Sequence, residues 1–377
     1  MRILHLGKYY APERGGIESY TQALCEWSTA RGDSVAALVH QRPDVWRTTR
    51  DAVNGIDVRR VACIAAPVYT PISPTYPIEL SRALADFAPD LLHLHLPNPS
   101  CFALLASRRA RRIPWVVHWH SDIPADAPDW RLRAGYRIYR PFEQALLKRA
   151  AAIAATSDAY IDASTALAPW RAKTRVIALG AGEVALPSPR RDLWPDGDGV
   201  RWLAVGRLSH YKGFDILLRA LAGVPDARLV IVGEGECAQA LRATAIECAV
   251  AHRVRFAGAV DDATLLAAYA AADAFVLPSL NRGEAFGLVL LEAMRARLPV
   301  VASAIQGSGI GEVVADGASG VLVPPGDVSA LASALARLRD ADLRARMGAQ
   351  GRERFEQRFT LERSAQRWLA LYQDVLR

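Results

Sequence analysis

The feature that most constrains the fold of this 377-residue chain is a repeated alternation of short β-rich runs with helical stretches. This alternation occurs in both halves of the chain and predicts parallel sheets covered by helices. The predicted strands are Arg2–Gly7, Ser34–Val39, Leu91–His95, Trp115–Trp119, Ala152–Thr156, Arg201–Gly206, Arg228–Gly233, Arg253–Ala257, Ala274–Pro278 and Pro299–Ala302. The sequence therefore predicts an α/β fold with two Rossmann-like, doubly wound parallel-sheet domains.

The predicted helices and one irregular segment divide the chain into domains. The helices are Glu18–Arg31, Arg131–Arg149, Phe214–Ala222, Ala238–Ala249, Asp262–Ala271, Glu284–Arg295 and Leu361–Arg377. Leu186–Gly199 contains three prolines, two glycines and no periodic element, which is typical of a linker. We therefore predict domains at 1–185 and 200–358, a linker at 186–199 and a terminal helical segment at 359–377.

The composition excludes several classes of protein. Hydrophobic residues make up 51% and charged residues 23%, which is typical of a soluble globular chain and not of a disordered one. No apolar run approaches the roughly 18 residues of a membrane-spanning helix, and the first residues are too polar for a secretion signal. The five cysteines are scattered and never form a CxxC pair, so we predict reduced thiols in a cytoplasmic protein.

The positive charge of the chain is concentrated in one stretch. The net charge is +7, and residues 108–149 alone contain ten basic and four acidic side chains. A local basic surface indicates a phosphate-bearing ligand or an anionic membrane as partner; we predict no nucleic-acid partner. Within the predicted helix Trp130–Lys148, an aromatic face lies beside Arg133, Arg137 and Arg140, and its members are Leu132, Tyr136, Tyr139, Phe142 and Leu146. That helix either lies on a membrane surface or packs in the core with a solvated flank, and both interpretations stay open.

Two glycine-containing loops follow predicted strands and precede helices, where ligands of doubly wound sheets bind, in a cleft expected between the domains. Gly15-Gly16-Ile17-Glu18 lets backbone N–H groups approach an anion, or is an ordinary strand-to-helix turn. The loop Gly206–Gly213 places Arg207 and Lys212 five residues apart. Two such cations suit a diphosphate, and the alternative is a solvated loop with two unrelated cations.

Two glutamates bracket the apolar segment 284–292. If the predicted helix is continuous from Glu284, Glu292 lies about 12 Å further along it and about 80° around. A glutamate in so apolar a stretch needs a hydrogen-bonding partner such as a sugar hydroxyl. The alternative is a helix-dipole glutamate together with a solvated one.

The segment His118-Trp119-His120-Ser121-Asp122 ends a predicted strand and allows two interpretations. His118 and His120 would share one face, as a zinc site requires, only if the strand persists through both. Because no cysteine and no further ligand lie at metal-binding spacing, we favour His120 or Asp122 as a sugar-facing polar group and His118 as a satisfied core histidine. A further loop, Gly233-Glu234-Gly235, fits a loose dinucleotide fingerprint, but its acidic side chains would repel a pyrophosphate.

Taken in this order along almost the whole chain, the motifs resemble family 4 retaining glycosyltransferases, which have the GT-B architecture of two Rossmann-like domains facing across a cleft. The resemblance rests on the Gly15-Gly16 loop, His120-Ser121-Asp122, Gly206-Arg207 with Lys212-Gly213, Gly233-Glu234-Gly235 and Glu284 through Glu292. The segments 119–123 and 278–284 look like those of bacterial enzymes that build polysaccharide or O-antigen repeats, many of them mannosyltransferases.

The resemblance implies a role for each matching residue. The catalytic set is His120 near the reacting carbon, Arg207 and Lys212 on the donor diphosphate, and Glu284 on the donor sugar. Glu292 would bind the ribose. The remaining donor-binding residues are Gly15, Gly16, Gly206, Gly233, Val260, Phe286, Gly287 and Leu288. Asp122 and Glu18 would contact the acceptor.

These roles predict a metal-independent hexosyltransferase without a cofactor, since Arg207 and Lys212 supply the charge that balances a departing diphosphate. The donor is a nucleotide sugar, with mannose from GDP-mannose as the first candidate and a UDP-hexose as the alternative. The acceptor is a glycan or a polyprenyl-diphosphate-linked saccharide at the cytoplasmic face of the cell membrane. Domain 1–185 would bind the acceptor, domain 200–358 the donor, and segment 359–377 would return to the first domain. A further alternative is a non-catalytic subunit that binds nucleotide sugars.

Overall fold

The computed structural model describes residues 1–13, 15–67, 70–123 and 130–377, which form two compact units. The first unit comprises residues 1–180 together with 361–377, and the second comprises residues 181–360. The segment predicted as a linker, 186–199, lies within the second unit. Trp194 is buried there and donates a hydrogen bond from Nε1 to the Trp202 carbonyl oxygen at 3.1 Å. The linker prediction missed this because proline and glycine content does not reveal a single buried tryptophan.

The first unit contains an eight-stranded sheet in the order β3-β4-β2-β1-β5-β6-β7-β8. Its strands are β1 (Arg2–Leu6), β2 (Ser34–His40), β3 (Thr49–Val53), β4 (Ile56–Val61), β5 (Leu91–Leu96), β6 (Trp115–Trp119), β7 (Ala152–Ala155) and β8 (Thr174–Val176). All neighbouring strands are parallel except β3, which pairs antiparallel with β4. The central strands β1, β5 and β6 are buried along almost their whole length, as expected where helices cover both faces of a sheet.

The helices of the first unit include the C-terminal helix of the chain. They are α1 (Gly16–Ala30), α2 (Tyr76–Phe87), α3 (Ala103–Ala106), α4 (Trp130–Arg149), α5 (Asp158–Ala163) and α13 (Leu361–Leu376). Helix α13 packs against α1, where Trp368 Nε1 donates to the Tyr20 hydroxyl at 2.9 Å. That hydroxyl lies 2.6 Å from Ser364 Oγ, so a buried polar chain fixes the two helices.

The second unit contains a parallel six-stranded sheet in the order β11-β10-β9-β12-β13-β14. Its strands are β9 (Val200–Val205), β10 (Ala227–Val232), β11 (Val254–Gly258), β12 (Ala274–Leu277), β13 (Val300–Ser303) and β14 (Gly320–Val323). Counted within the unit, this is the order 3-2-1-4-5-6 of a Rossmann sheet. The direction of winding therefore reverses between β9 and β12, where ligands bind in such folds.

The helices of the second unit are α6 (Phe214–Ala222), α7 (Ala238–Glu247), α8 (Asp262–Ala271), α9 (Leu288–Arg295), α10 (Ile310–Val313), α11 (Val328–Arg337) and α12 (Ala341–Arg358). Aspartates cap three of them by accepting backbone N–H bonds through their side chains: Asp261, Asp327 and Asp340. The prediction for α9 was wrong at its start. Gly287 adopts φ +82°, so the helix begins at Leu288 and Glu284 lies in the preceding loop.

Candidate active site

Loops at the carboxyl ends of β9, β10 and β12 meet at the switch point of the second unit. Gly233, at φ +136°, has no room for a side chain, since a Cβ would lie 2.0 Å from the Gly206 carbonyl oxygen. Gly213, at φ +65°, is equally confined by the Pro278 carbonyl oxygen at 2.1 Å. A backbone hydrogen bond from Leu280 N–H to the Tyr211 carbonyl (2.7 Å) ties the β9 and β12 loops together. The glycines are therefore required for close packing of these loops.

An ion pair joins two of the predicted site residues at the base of these loops. Lys212 Nζ donates to Glu284 Oε2 at 2.6 Å, and Ser279 Oγ donates to the same oxygen at 3.0 Å. Lys212 and Glu284 are only 7% and 8% exposed, so the pair is shielded from bulk water. Both bonds end on Oε2, and an ammonium has three donors. One oxygen of Glu284 and further Lys212 donors are thus not used in this pair.

The pair also fixes the charge of the lysine. Burial alone would lower the pKa of Lys212, but the Glu284 carboxylate outweighs it, and the pKa rises above its ordinary value of 10.5. The Nζ atom lies 3.3 Å from the position that a Cβ on Gly206 would occupy, so the ammonium packs directly beside this glycine. Lys212 is therefore a fixed cation next to a stretch of bare backbone.

Arg207 provides a second cation on the same loop. The Arg207 side chain is exposed, whereas the Lys212 side chain is buried. The positive charge of Arg207 lowers the pKa of Lys212, against the larger effect of Glu284. The two cations are therefore close enough to repel each other. Such an arrangement is expected where two cations surround one bound anion. The structure brings Arg207, Lys212 and Glu284 to one switch point.

Glu292, in the middle of α9, is oriented by a residue that sequence reasoning missed. Tyr269 on α8 donates from its hydroxyl to Glu292 Oε2 at 2.7 Å. Burial raises the pKa of Glu292 above its ordinary value, against the Tyr269 hydrogen bond and the Arg295 charge, which lower it. The predicted 12 Å spacing along one helix does not apply, because the helix starts after Glu284.

The other predicted donor-binding residues occupy different environments. Phe286 is 3% exposed and its ring contacts Phe359, with ring centroids 6.1 Å apart, so only its backbone can meet a ligand. Gly287 and Leu288 form the start of α9, and Val260 follows the end of β11. In the first unit, α1 begins at Gly16, two residues before the predicted start at Glu18, and Glu18 folds back toward Gly15.

His120 belongs to a buried cluster of five histidines in the first unit. Its Nε2 lies 3.0 Å from His95 Nδ1, and its ring contacts that of His118 at a tilt of 35°, with centroids 3.8 Å apart. His118 and His120 therefore do share one face, although β6 ends at Trp119. Burial, with a smaller effect of Lys8, lowers the pKa of His120 to about 3, so the ring is neutral. His118 is a core histidine, but the prediction that it is satisfied was wrong, since neither ring nitrogen has a hydrogen-bond partner in the described part of the chain.

Asp122 does not join the histidines. Its Oδ1 accepts from Trp119 Nε1 at 2.9 Å and from Ser164 Oγ at 2.7 Å. The carboxylate thus links the end of β6 to the end of α5.

Helix α4 differs from the amphipathic helix that the sequence predicted. Tyr136 and Leu146, assigned to a possible membrane face, are buried in the first unit. Phe142 of the same predicted face is 49% exposed, and Trp130 and Ile138, which lie outside that face, are 65% and 72% exposed. Arg133, Arg137 and Arg140 are exposed as well. The core-packed interpretation is correct for one face, and the solvent face still carries apolar and basic groups together.

Sequence reasoning missed Ser279 and Tyr269, which orient the two glutamates, and also His5, His93 and His95. The alternation His93-Leu94-His95 within a strand was a usable signal, because alternate residues share a face. No comparable signal marks Tyr269, whose pairing with Glu292 depends on how α8 and α9 pack.

The parallel sheets and the charged switch-point loops define the class: a two-domain Rossmann-type α/β protein with a ligand site at strand ends. Comparison with known proteins gives the family. Residues 190–354 match the family "Glycosyl transferases group 1", and residues 15–180 match "Glycosyl transferase 4-like domain". The chain therefore belongs to the group 1 glycosyltransferases, which confirms the predicted resemblance to family 4 enzymes.

Similar proteins cover nearly the whole chain. D-rhamnosyltransferase WbpZ of Pseudomonas aeruginosa is 34% identical over 96% of this chain and 92% of its own length. The phosphatidyl-myo-inositol mannosyltransferase of Mycobacterium leprae is 33% identical over 94% and 91%. O-antigen chain mannosyltransferase C of Escherichia coli is 30% identical over 100% and 99%.

Solved structures confirm the GT-B fold. Sucrose-phosphate synthase from Thermosynechococcus elongatus has a TM-score of 0.81 at 25% identity, covering 99% of this chain and 98% of that chain. HepE of Anabaena has a TM-score of 0.74 at 20% identity, covering 99% of each chain.

Proposed function

We propose that this glycosyltransferase transfers a hexose, mannose from GDP-mannose as first candidate, to a glycan or polyprenyl-diphosphate-linked saccharide during cell-surface polysaccharide synthesis. The transfer retains the anomeric configuration and needs no metal ion. Support for the sugar comes from three relatives, two named as mannosyltransferases and one as a D-rhamnosyltransferase. D-rhamnose is 6-deoxymannose, so all three names specify a sugar of manno configuration. A UDP-hexose donor is the alternative.

The observation that carries the proposal is the buried Lys212–Glu284 pair at the switch point, beside bare glycine backbone and the exposed Arg207. As the bond between the anomeric carbon and the diphosphate breaks, negative charge develops on the diphosphate oxygen. Lys212 and Arg207 neutralise this charge, and Lys212 remains protonated because Glu284 raises its pKa. The free oxygen of Glu284 accepts a hydroxyl of the donor sugar.

The remaining roles follow the same logic. Glu292, already oriented by Tyr269, accepts from the nucleotide ribose. Gly206 and Gly233 allow the diphosphate to approach the backbone, and neutral His120 faces the sugar. Arg207, Lys212, Glu284 and His120 form the catalytic set.

A donor screen tests this function. The full chain is incubated with GDP-mannose, GDP-D-rhamnose and UDP-glucose, with and without a polyprenyl-diphosphate-linked saccharide, and released nucleoside diphosphate is measured. We expect release from a GDP-sugar, an unchanged rate after addition of Mg²⁺ or Mn²⁺, and a product of unchanged anomeric configuration by NMR. No release from any donor contradicts the proposal. Normal donor affinity and an unchanged assembly phenotype in Glu284→Ala and Arg207→Ala would instead identify a non-catalytic subunit.

A second ion pair of the same unit, more exposed than Lys212–Glu284, is a control for the loss of a cation. Arg201 and Asp273 form a 2.7 Å pair in the same unit, at the opposite end of β9. Lys212→Met should weaken binding of the nucleoside diphosphate by at least about tenfold, the weight of one charge-assisted hydrogen bond. Arg201→Met should leave that affinity unchanged. Equal losses in both variants would show that the effect is structural.

We also propose that α4 attaches the protein peripherally to the anionic cytoplasmic face of the cell membrane. Support comes from its exposed Trp130, Ile138 and Phe142 beside exposed arginines. Among the described residues, no helix is long and apolar enough to span a membrane. Replacing Arg133, Arg137 and Arg140 by Gln should reduce binding to anionic liposomes. Replacing the exposed Arg219, Arg337 and Arg346 of the second unit is the charge-matched control, and an equal loss there contradicts the proposal.

A further inference from the structure

The first unit contains a histidine cluster, defined as His5, His93, His95, His118 and His120, on three neighbouring strands. Register pairs His5 of β1 with His93 of β5, and His95 of β5 with His118 of β6. Because the strands are parallel and alternate residues share a face, all five rings collect on one side of the sheet. The side chains of α13 cover them: Trp368 lies 4.5 Å from His93 and 4.7 Å from His118 between ring centroids.

Most of these histidines are fully buried with unused ring nitrogens. His5 and His93 are 1% and 0% exposed, and Nε2 of each has no hydrogen-bond partner in the described part of the chain. Burying an imidazole nitrogen without a partner is unfavourable. For His93, whose Nδ1 lies 2.5 Å from the Tyr372 hydroxyl, the unpartnered Nε2 points to a ligand that binds nitrogen donors.

We propose that His5, His93 and His95 form a structural site for a divalent metal ion of the zinc class. One ligand atom from each of the three lies within 4.8 Å of the other two. His5 Nδ1 and His95 Nε2 are 3.1 Å apart. Two nitrogens bound to one tetrahedral zinc ion at about 2.05 Å are separated by about 3.3 Å. Small ring rotations therefore bring these nitrogens to coordination distance.

The surroundings favour this trio over the second possible group, His95, His118 and His120. A metal-bound histidine needs a partner for its other ring nitrogen. His93 Nδ1 lies 2.5 Å from the Tyr372 hydroxyl, and His95 Nδ1 lies 3.4 Å from Thr21 Oγ1. His118, in contrast, has no partner for either nitrogen in the described residues. Coordination through His118 would leave its other nitrogen unsatisfied. In the favoured trio two of the three ligands, His93 and His95, have a partner for the other nitrogen, and only His5 Nε2 has none in the described residues.

The donor set defines the class of ion. Three imidazoles without thiolate or carboxylate suit Zn²⁺, Co²⁺, Ni²⁺ or Cu²⁺ rather than Mg²⁺ or Ca²⁺. Neutral imidazoles bind zinc in three-histidine sites, so a carboxylate ligand is not required. The ion would tie β1 and β5 together beneath α13. The proposed role of the ion is structural, and its test does not depend on the proposed function, although His95 contacts His120 of the proposed catalytic set at 3.0 Å.

Metal analysis tests the site in the full chain expressed without a histidine tag. Zinc content is measured after gel filtration, and the visible absorption of tetrahedral Co²⁺ is followed during titration. His93→Phe and His118→Phe are matched variants, since both histidines are completely buried and both pack on Trp368. His93→Phe should weaken Co²⁺ binding by at least about tenfold, the lower end of the effect of losing even a second-shell partner. His118→Phe should retain it.

Each outcome decides the proposal. Wild-type protein that holds one metal ion per chain, with loss only in His93→Phe, supports it. Wild-type protein that contains no zinc and shows no Co²⁺ spectrum overturns it, and this result does not depend on the folding of any variant. Retention of metal by His93→Phe, or equal loss in His118→Phe, also overturns the assigned trio. Circular dichroism of both variants checks that they are folded.

Discussion

The buried pair Lys212–Glu284 supports a prediction about the stability of the second unit. In Glu284→Gln the Lys212 ammonium stays buried without its counter-charge. Breaking a buried pair in this way typically costs about 3–5 kcal/mol. The lysine can also lose its proton, and moving a pKa from 10.5 to below 7.5 costs about 4 kcal/mol at pH 7.5. We therefore expect the free energy of unfolding to fall by about 3–4 kcal/mol.

The reverse variant, Lys212→Met, leaves the Glu284 carboxylate with only the Ser279 hydroxyl, and a loss of similar size is expected. In the double variant no charge is left unpaired. Its loss should therefore be smaller than the sum of the two single losses by about 2 kcal/mol or more. The loss of unfolding free energy in Glu284→Gln should also become smaller as the pH rises toward 10.5. In that pH range Lys212 is deprotonated in the folded variant but still protonated in its unfolded chain, so the variant becomes more stable with rising pH.

Hydrogen exchange measured by mass spectrometry is suited to a chain with two units. Peptides from β9 and β12 report the opening of the second unit, and peptides from β1 and β6 are an internal control that should not change. Additive losses in the double variant would refute the reasoning, as would a loss below about 1 kcal/mol in both single variants. Either result would mean that water already solvates the pair.

Three further predictions follow from single contacts. Gly233→Ala should destabilise the second unit and abolish nucleotide binding, because its Cβ would clash with the Gly206 carbonyl oxygen, whereas Gly311→Ala, which has no atom within 4 Å of its Cβ, should be neutral in thermal melts. Tyr269→Phe should cost about 1 kcal/mol and weaken affinity for the nucleoside diphosphate several-fold in calorimetry, since Glu292 loses the bond that orients it; unchanged affinity would argue against a ribose-binding role for Glu292. Burial raises the pKa of Glu143 from 4.5 to about 7, so the folded first unit holds this proton more tightly than the unfolded chain and loses up to about 3 kcal/mol of stability as the pH rises from 4.5 to 7; Glu143→Gln should remove that loss in pH-dependent melts, and an unchanged pH profile would contradict it.

The fold could be predicted from the sequence because the central strands are buried on both faces. Continuous apolar runs such as Leu229–Val232 cannot be mistaken for surface segments. Four strands were not predicted: β8, β14 and the hairpin strands β3 and β4. Strand β3 is mostly exposed and carries polar residues, and it pairs antiparallel with β4. The turn between them, Asn54-Gly55 with both φ values positive, is nevertheless a strong hairpin signal in the sequence.

The residues of the candidate site could be predicted one by one, but the contacts between them could not. Lys212 and Glu284 were each assigned a separate group of the donor, although they bind each other in the structure. They are 72 positions apart in the chain, and only the order of strands brings them together. The local sequence around each loop does not indicate that β12 lies next to β9. In a sheet whose strand order did not reverse at β9, the two loops would be separated.

The histidine cluster is a second case in which strand order brings together residues that are far apart in the sequence. Zinc was set aside at His118 and His120 because no third ligand lies near them in the sequence. The nearest other histidines come from β1 and β5, which register places beside β6. Metal spacing rules assume ligands on one turn or hairpin, whereas a parallel sheet assembles ligands from strands that whole helices separate. In such folds, histidines at alternate positions of different strands should be tested together, since any two that share a face and a register meet.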